Sequence, residues 1–454
     1  MALIWAEGFT GEKALAPLWR RHAVALARSQ DRSLSPSDRG AAIVEAEDTK
    51  IIYDNTVAEA EAALAQTATR EELRTHALVV GVGRYKNAGI KALTTSVHGA
   101  WAFADWMLRR FHHLNRPLGS VELILSPSDS LGDWKPSPEA AEKLGLTDGS
   151  STTTLPVEAA TFTNIKNAFN RWLKRAGTHL DNAAFFYFSG HGLWKSEPFL
   201  LPEDAQIAKR IEGFDNLIDV QETQINMFNT QPSVQCFFID ACQEVISQLV
   251  ENPTTRPPAL VLWTPANAPV IPDRDAWRYE GAFPSRKAFG PADSAPFFTQ
   301  ELVACLERRG AAPAKIANAW RVTTSSLKEA LEAAWRWREE ADREAQGIKF
   351  SAAAPGSSST TATLCHIQGS PEVIVEVRCH PATAMPRAKL FVESGGVRSP
   401  RPQPLPSPWY TTVTQGDCSA GAEFEASAAL ATTPENFEAR PPVHPVQLMV
   451  QPRV

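Results

Sequence analysis

Two apolar runs in this chain stop at residues that can do chemistry. NAAFFYFSGHGLW, Asn182 to Trp194, stops at a histidine held between two glycines, and QCFFIDACQEV, about fifty residues on, stops at a cysteine. A free thiol ionises near pH ~8.5 and becomes a strong nucleophile only as thiolate. An imidazole beside it can take that proton and later deliver one to a departing amine. His191 and Cys242 are therefore the candidate base and nucleophile. Gly192 has no Cβ, so its backbone N–H can approach a substrate carbonyl. With the N–H of Cys242 it would form an oxyanion hole, worth several kcal/mol in comparable sites. Either residue alone reads blandly: GHG as a turn histidine, a cysteine after an apolar run as a small buried side chain, which is how Cys236 reads. Both together, in this order on successive strands, make the case. Asp240 lies two positions before Cys242 on a strand and so projects to the same face. It can line a pocket beside the thiol, or cap the turn that follows.

The elements that must position these residues are legible as alternating strands and helices. HALVVGVG, from His76, is a short apolar run ended by glycine, as in a strand buried on both faces. Val97, Trp101, Ala104, Leu108 and Phe111 follow at helical spacing, then the strand VELILS (121–126). Thr163 is expected to cap a helix with Ile165, Phe169, Trp172 and Leu173 on one face. AAFFYFSG is the next strand, Asp219 and Glu222 form a capping box for a short helix, and QCFFIDAC and ALVLWTPA (259–266) are further strands. This alternation predicts an α/β domain around a mostly parallel sheet, and in such sheets ligands gather at the carboxyl ends of the strands. His191 and Cys242 stand at two of those ends. Long Ser-, Thr- or Pro-rich loops are expected at 127–161 and 266–296. FFTQELVACLERRG reads as a helix closed by Gly310, and Ser326 to Glu329 opens another, with Leu327, Ala330, Leu331, Ala334 and Trp335 on one face.

The ends of the chain differ from its middle. Residues 1–74 read as mainly helical; AEAEAALAQTATREELR (58–74) has strong helix formers throughout. The stretch 346–362 reads as a linker around SAAAPGSSSTT. Beyond it the period becomes two: Val373, Val375, Val377 and Cys379 point one way, Ile374, Glu376 and Arg378 the other. Residues 363–454 are therefore expected to form a small all-β sandwich, after a middle domain over 75–345 whose larger part spans 75–250 and smaller part 255–345.

Composition excludes several classes. A chain of 454 residues with net charge -6 carries no electrostatic footprint for nucleic acid or a membrane surface. Its six cysteines include no CxxC pair, which argues against structural zinc. The start lacks the pattern of a secretory signal, and no apolar run approaches the ~18 residues of a membrane span. The expectation is a cytoplasmic protein with reduced thiols.

ALVVGVGRY, FFYFSGHG, FFIDACQ and FFTQELVACL, in this order over roughly 75–345, resemble the caspase-like cysteine peptidases: caspases, metacaspases, paracaspases and their bacterial relatives. The chain is most similar to a bacterial caspase homologue. The resemblance implies a six-stranded caspase sheet, His191 as general base, Cys242 as nucleophile and hydrolysis of peptide bonds through an acyl-enzyme. It implies no cofactor and no metal. The QAC signature of animal caspases is met only in part. An aspartate two positions before the thiol is what metacaspases and paracaspases carry, which implies that Asp240 lines the first specificity pocket and pairs with a substrate Arg or Lys. Arg274, Arg278 and Arg286 would then be self-processing sites, or simply exposed loop charges. The second acid that metacaspases offer at the start of the first helix is missing: His98 and Gly99 stand there, and Asp105 lies nearly two turns further on. DAWRYE is a competing cue. Trp277, Arg278 and Tyr279 resemble a pocket-lining segment of caspases, and Arg278 in the pocket would favour an acidic substrate residue. The expected partners are protein or peptide substrates and an activator or inhibitor protein, in a stress or antiviral-defence pathway. Two other classes stay open: a caspase fold kept as an interaction scaffold, and a thiol that serves as a redox sensor.

Overall fold

The apolar runs become the strands of one sheet. The computed structural model describes residues 3–6, 15–68, 73–87, 89–127, 136–144, 157–194, 197–206, 216–228, 230, 232–241, 244–245, 257–261, 274–281, 293–313, 319–341, 350–353, 361–401, 403, 405, 407–425 and 430–452. The chain forms two compact units, Met1–Gln300 with Ala352–Thr360, and Glu301–Ser351 with Thr361–Val454.

In the first unit, β1 (Leu3–Ala6), α1 (Leu15–Gln30) and α2 (Pro36–Ala68) precede the strand–helix alternation. Then come β2 (Thr75–Val82), α3 (Thr94–Arg109), β3 (Leu118–Ser126), α4 (Pro138–Lys143), α5 (Phe162–Ala176) and β4 (Ala183–Gly190). They are followed by β5 (Gly192–Trp194), β6 (Pro198–Leu200), β7 (Ile218–Asp219), α6 (Val220–Phe228), β8 (Val234–Ala241), β9 (Glu244–Val245) and β10 (Asp275–Glu280). The main sheet runs β1-β3-β2-β4-β8-β10-β13, with β13 at Ser351–Ala353. Its centre is five parallel strands, β3-β2-β4-β8-β10. β1 adds to one edge in antiparallel sense. The caspase-like α/β architecture is thus present, with a seven-strand order in place of the six expected. A second small sheet, β7-β6-β5-β9, lies beyond the ends of β4 and β8.

Two faces of the sheet are sealed by different helices, and strict alternation along β4 assigns its aromatics to them. Tyr187 stacks on Phe103 of α3 at 4.7 Å between ring centroids, and Phe238 of β8 packs on the same Phe103. Phe186 meets Phe169 and Trp172 of α5. Each such ring contributes roughly 1.5–3 kcal/mol by leaving water, which is why a continuous FFYF run is stable here and would aggregate on a half-exposed strand. Trp172 satisfies its indole N–H on the carbonyl of His76 at 3.0 Å.

Several boundaries differ from the sequence reading. Thr161, not Thr163, caps α5: its hydroxyl accepts the N–H of Asn164 at 3.3 Å. Asp219 caps α6 as expected, accepting the N–H of Glu222 at 2.8 Å. Residues 259–261 lie outside any strand, and 262–273 lie outside the described residues. The strand beside β8 is instead DAWRYE, which had read as loop. Its charges hid it: Arg278 and Glu280 alternate with Trp277 and Tyr279 and neutralise each other at 2.9 Å, while Tyr279 stacks on Phe238. Ser351–Ala353, read as linker, is a strand, and β1 was too short to be seen by periodicity.

The second unit begins inside α7 (Phe297–Ala304), which tightens into a π-helical turn, Cys305–Arg309, and stops at Gly310. Buried Glu301 accepts from Arg309 and Arg338, both at 2.5 Å, and Arg309 also reaches Glu372 at 2.6 Å. β11 (Ala311–Pro313), β12 (Trp320–Thr323) and β14 (Thr363–Ile367) form an antiparallel sheet around α8 (Thr324–Ala341). The remaining strands are β15 (Glu372–His380), β16 (Lys389–Ser394), β17 (Val397–Pro400), β18 (Trp409–Thr414), β19 (Gly416–Glu423), β20 (Leu430–Thr432), β21 (Glu435–Ala439) and β22 (Val443–Pro452). They make two four-stranded sheets, β18-β15-β22-β20 and β17-β16-β19-β21. Val373, Val375, Val377 and Cys379 share a core with Leu390, Val392 and Leu448, as the period of two requires. Among the described residues no helix is long and apolar enough to cross a membrane.

Candidate functional site

His191 follows directly on β4, and contacts from other segments hold it, among them the N–H of Leu201, which donates to its carbonyl at 3.1 Å. The His191 backbone N–H donates to the Tyr85 hydroxyl at 2.7 Å. Its Nε2 lies 2.7 Å from the carbonyl of Lys91. A carbonyl only accepts, so Nε2 carries the proton and Nδ1 is left with a lone pair. The Tyr85 ring lies 5.0 Å from the imidazole. Tyr85 and Lys91 both belong to the loop between β2 and α3, which is itself anchored. Lys86 N–H donates to Glu203 O at 2.8 Å, and the buried Glu203 carboxylate accepts from Ser126 at 2.5 Å and Arg84 at 3.4 Å. The glycine before the histidine has a steric reason. A Cβ on Gly190 would stand 2.9 Å from the Phe188 ring and 3.1 Å from the Tyr85 hydroxyl.

β4 and β8 are neighbours, and their register brings the two apolar runs to the same edge. Ser189 pairs with Asp240, and Gly190 pairs with Ala241. Past that edge the chains pair again, Leu193 with Glu244 and Trp194 with Val245. Gly192 itself is buried and paired with Leu200 of β6. Cys242 lies outside the described residues, as does Arg286.

Asp240 is buried on the face that carries Tyr187. Its Oδ2 accepts the hydroxyl of Thr299 from α7, and Thr299 Oγ1 is 2.5 Å from the Tyr187 hydroxyl. Its Oδ1 is sealed from solvent and has no hydrogen-bond partner among the described residues. Burial pushes this carboxyl up to about 7, against the hydroxyl and backbone N–H of Thr299, which lower it. Burial lifts Tyr187 well above the usual phenol range, and the Asp240 charge adds to this. Gly99 of α3 belongs to the same corner: a Cβ there would come within 2.6 Å of the Tyr187 hydroxyl and 3.3 Å of Thr299 Oγ1. His98 beside it is held below the ordinary imidazole range by burial, with Asp293 opposing.

The structure does not bring the DAWRYE residues to this edge. Trp277 is level with Cys236 and Tyr279 with Phe238, several residues short of Ala241. Tyr279 is fully buried, and the Trp277 indole donates to Asp275 at 2.6 Å. Arg278 is level with Phe237 and paired with Glu280 on the opposite face from Asp240. Arg274 is buried too, donating to the carbonyls of Met227, at 3.3 Å, and Thr230. Among the described residues no group of three or more His, Cys, Asp or Glu side chains can hold a metal.

A parallel sheet with a fixed histidine at one strand end, next to a strand that leads into Asp-Ala-Cys, is matched by a family model. The model is the caspase domain, and it covers residues 74–364. The chain belongs to the caspase-domain family. It is 23% identical over 320 residues to an uncharacterized protein, y4kE, of Sinorhizobium fredii (strain NBRC 101917 / NGR234), a match that covers 66% of this chain and 85% of the relative. The crystal structure of caspase-1 from Spodoptera frugiperda aligns at a TM-score of 0.33 and 10% identity, over 62% of this chain and 87% of that one. Four residues of the caspase domain escaped the sequence reading: Tyr85, Lys91, Tyr187 and Thr299. Tyr85, Tyr187 and Thr299 lie inside the GVGRY, FFYFSGHG and FFTQELVACL motifs, but their roles rest on contacts distant in sequence, and Lys91 acts through its backbone.

Proposed function

We propose that this chain is a cysteine endopeptidase with His191 as base and Cys242 as nucleophile, cutting after a basic residue drawn to Asp240. The observation that carries the reading is the register on both sides of the candidate nucleophile: Gly190 opposite Ala241, and Leu193 opposite Glu244. Two neighbouring chains thus enter and leave the site in step, one bearing the histidine and one the cysteine.

The chemistry follows from the tautomer. Nε2–H is spent on the Lys91 carbonyl, so Nδ1 accepts the thiol proton. The thiolate attacks the substrate carbonyl carbon, and the oxyanion is met by the N–H groups of Gly192 and Cys242. The C–N bond breaks as the imidazolium returns its proton to the amine. Water, deprotonated by Nδ1, then splits the thioester, and the proton passes back to sulfur. Asp240, under-paired and one strand position from the edge, supports a basic residue before the cut. Arg278, tied to Glu280 on the other face, gives an acidic preference no support. Arg274 and Arg278 are held in the fold, which leaves Arg286 as the proposed self-processing site. Protein substrates, an activating or inhibiting partner, a cytoplasmic setting and a role in bacterial stress or antiviral defence belong to the same proposal, on resemblance alone.

A panel of fluorogenic peptides with Arg, Lys or Asp before the leaving group tests this. Release is expected from the basic peptides, with loss in Cys242→Ala and in His191→Ala. Cleavage that survives Cys242→Ala would sink the dyad; cleavage of the Asp peptide alone would sink the pocket. A purified chain silent on every peptide, with and without self-processing on a gel, would favour the scaffold reading.

A further inference from the structure

Asp240 holds a carboxylate whose two oxygens are treated differently. The Thr299 hydroxyl donates to Oδ2. Having given its proton there, Thr299 can only accept from Tyr187, whose hydroxyl stands 2.5 Å away. The result is a directed chain from Tyr187 through Thr299 to Oδ2. Oδ1 receives nothing from the described residues, although it is buried, and a buried acceptor without a donor is costly enough that native structures rarely keep one. Gly99 makes room for the clamp, since any side chain there would collide with the Tyr187 hydroxyl. The corner therefore spends a glycine and two hydroxyls on fixing one oxygen and withholding the other.

We propose that Thr299, backed by Tyr187, is a specificity-determining positioning residue that reserves Oδ1 as a single acceptor and so favours lysine over arginine before the cut. This rests on the reading of Asp240 as the pocket acid. Arginine gains most from a carboxylate through its fork, two parallel N–H bonds to two oxygens. Lysine carries a compact ammonium that needs one oxygen. With one acceptor site of Oδ2 already taken by Thr299, the fork must share that oxygen with the hydroxyl, while the ammonium needs Oδ1 alone.

The test compares kcat/KM on two fluorogenic peptides that differ only in Lys or Arg before the leaving group. The same two sequences, as uncleavable amides, are measured by calorimetry on Cys242→Ala, so that binding is read without turnover. The intact chain is expected to prefer Lys, and Thr299→Val to shift the Lys-to-Arg ratio toward Arg by about tenfold, one hydrogen bond to a charged group. Thr299→Ser should keep the original ratio, and Tyr187→Phe should move it part of the way. Thermal melts check that each variant is folded. A ratio equal in the intact chain and in folded Thr299→Val, or a preference for Arg in the intact chain, overturns the inference and leaves cleavage after basic residues standing. A chain that neither cleaves nor binds either peptide removes the basic pocket and this inference together.

Discussion

Two buried carboxylates sit in the same sheet and are handled in opposite ways. Glu122, on β3, is fully buried and faces α5, where Arg171 and Arg175 each ion-pair with one of its oxygens. Arg175 extends the cluster to the Ser120 hydroxyl at 3.1 Å, and Ser120 lies 2.9 Å from His76 Nδ1. His76 itself is driven down to about 3, first by burial and then by Arg175 and Arg74, so it stays neutral. Asp240, on β8, faces the other way and meets the hydroxyl and backbone N–H of Thr299. Among the described residues no guanidinium pairs with it. On the proposed function, the contrast separates an acid that serves the fold from one held in reserve for a substrate side chain. Charge buried for structure is matched within the chain; charge buried for recognition is left short of one partner, and its raised pKa reports the deficit.

The same isosteric change at both acids should give opposite signs. Glu122→Gln removes the counter-charge from Arg175 and half-buried Arg171, and is expected to destabilise the fold by about 3–5 kcal/mol, read as a lower midpoint in urea. A loss under about 1 kcal/mol would mean that water reaches the cluster. Asp240→Asn should stabilise, and only at higher pH. The folded-state carboxyl titrates at about 7 against a usual 3.8. Between those values the native state keeps a proton that the unfolded chain has released, so stability declines as pH rises through this window and is level above it. At ~1.36 kcal/mol per unit the full decline is at most about 4 kcal/mol. Melting curves of both forms from pH 4 to 8 should diverge upward, Asn above Asp; parallel curves would put Asp240 in contact with water or a cation. The smallest change is Tyr85→Phe, which strips the acceptor from the His191 N–H at 2.7 Å. A buried donor left alone costs about 1–3 kcal/mol, an upper bound for this half-buried one, and kcat is expected to fall with KM little altered, because the ring that shifts is the proposed base.

Much of this was legible before any coordinates. The runs ending at Ser126, Gly190 and Ala241 announced buried parallel strands, since nothing but a doubly covered strand tolerates FFYF or FFID without polar relief. His191 was legible for the same reason: it is the first polar side chain after such a run. The β sandwich showed in Val373, Val375 and Val377, where the period is two and Glu376 and Arg378 alternate with the valines. What stayed hidden shares a cause. β10 mixes Arg and Glu into a central position, because Arg278 and Glu280 cancel each other inside the fold, and no local pattern reveals a pairing that forms only after folding. Thr299 looks like an ordinary helix residue until Asp240 is seen beside it. Lys91 contributes a carbonyl, which every residue has. The cap of α5 moved two residues because Thr161 and Thr163 offer the same hydroxyl, and only the path of the preceding chain chooses between them.

The double pairing around the site has a consequence for how the chain can vary. Between Gly190 and Leu193, and between Ala241 and Glu244, two residues intervene on each side. The spans are equal, so the second ladder inherits its alignment from the first. One residue gained or lost in either span would put the second ladder out of step with the first. Substitution can explore this stretch, but length cannot, and the histidine and the cysteine keep a common count however far their surroundings drift.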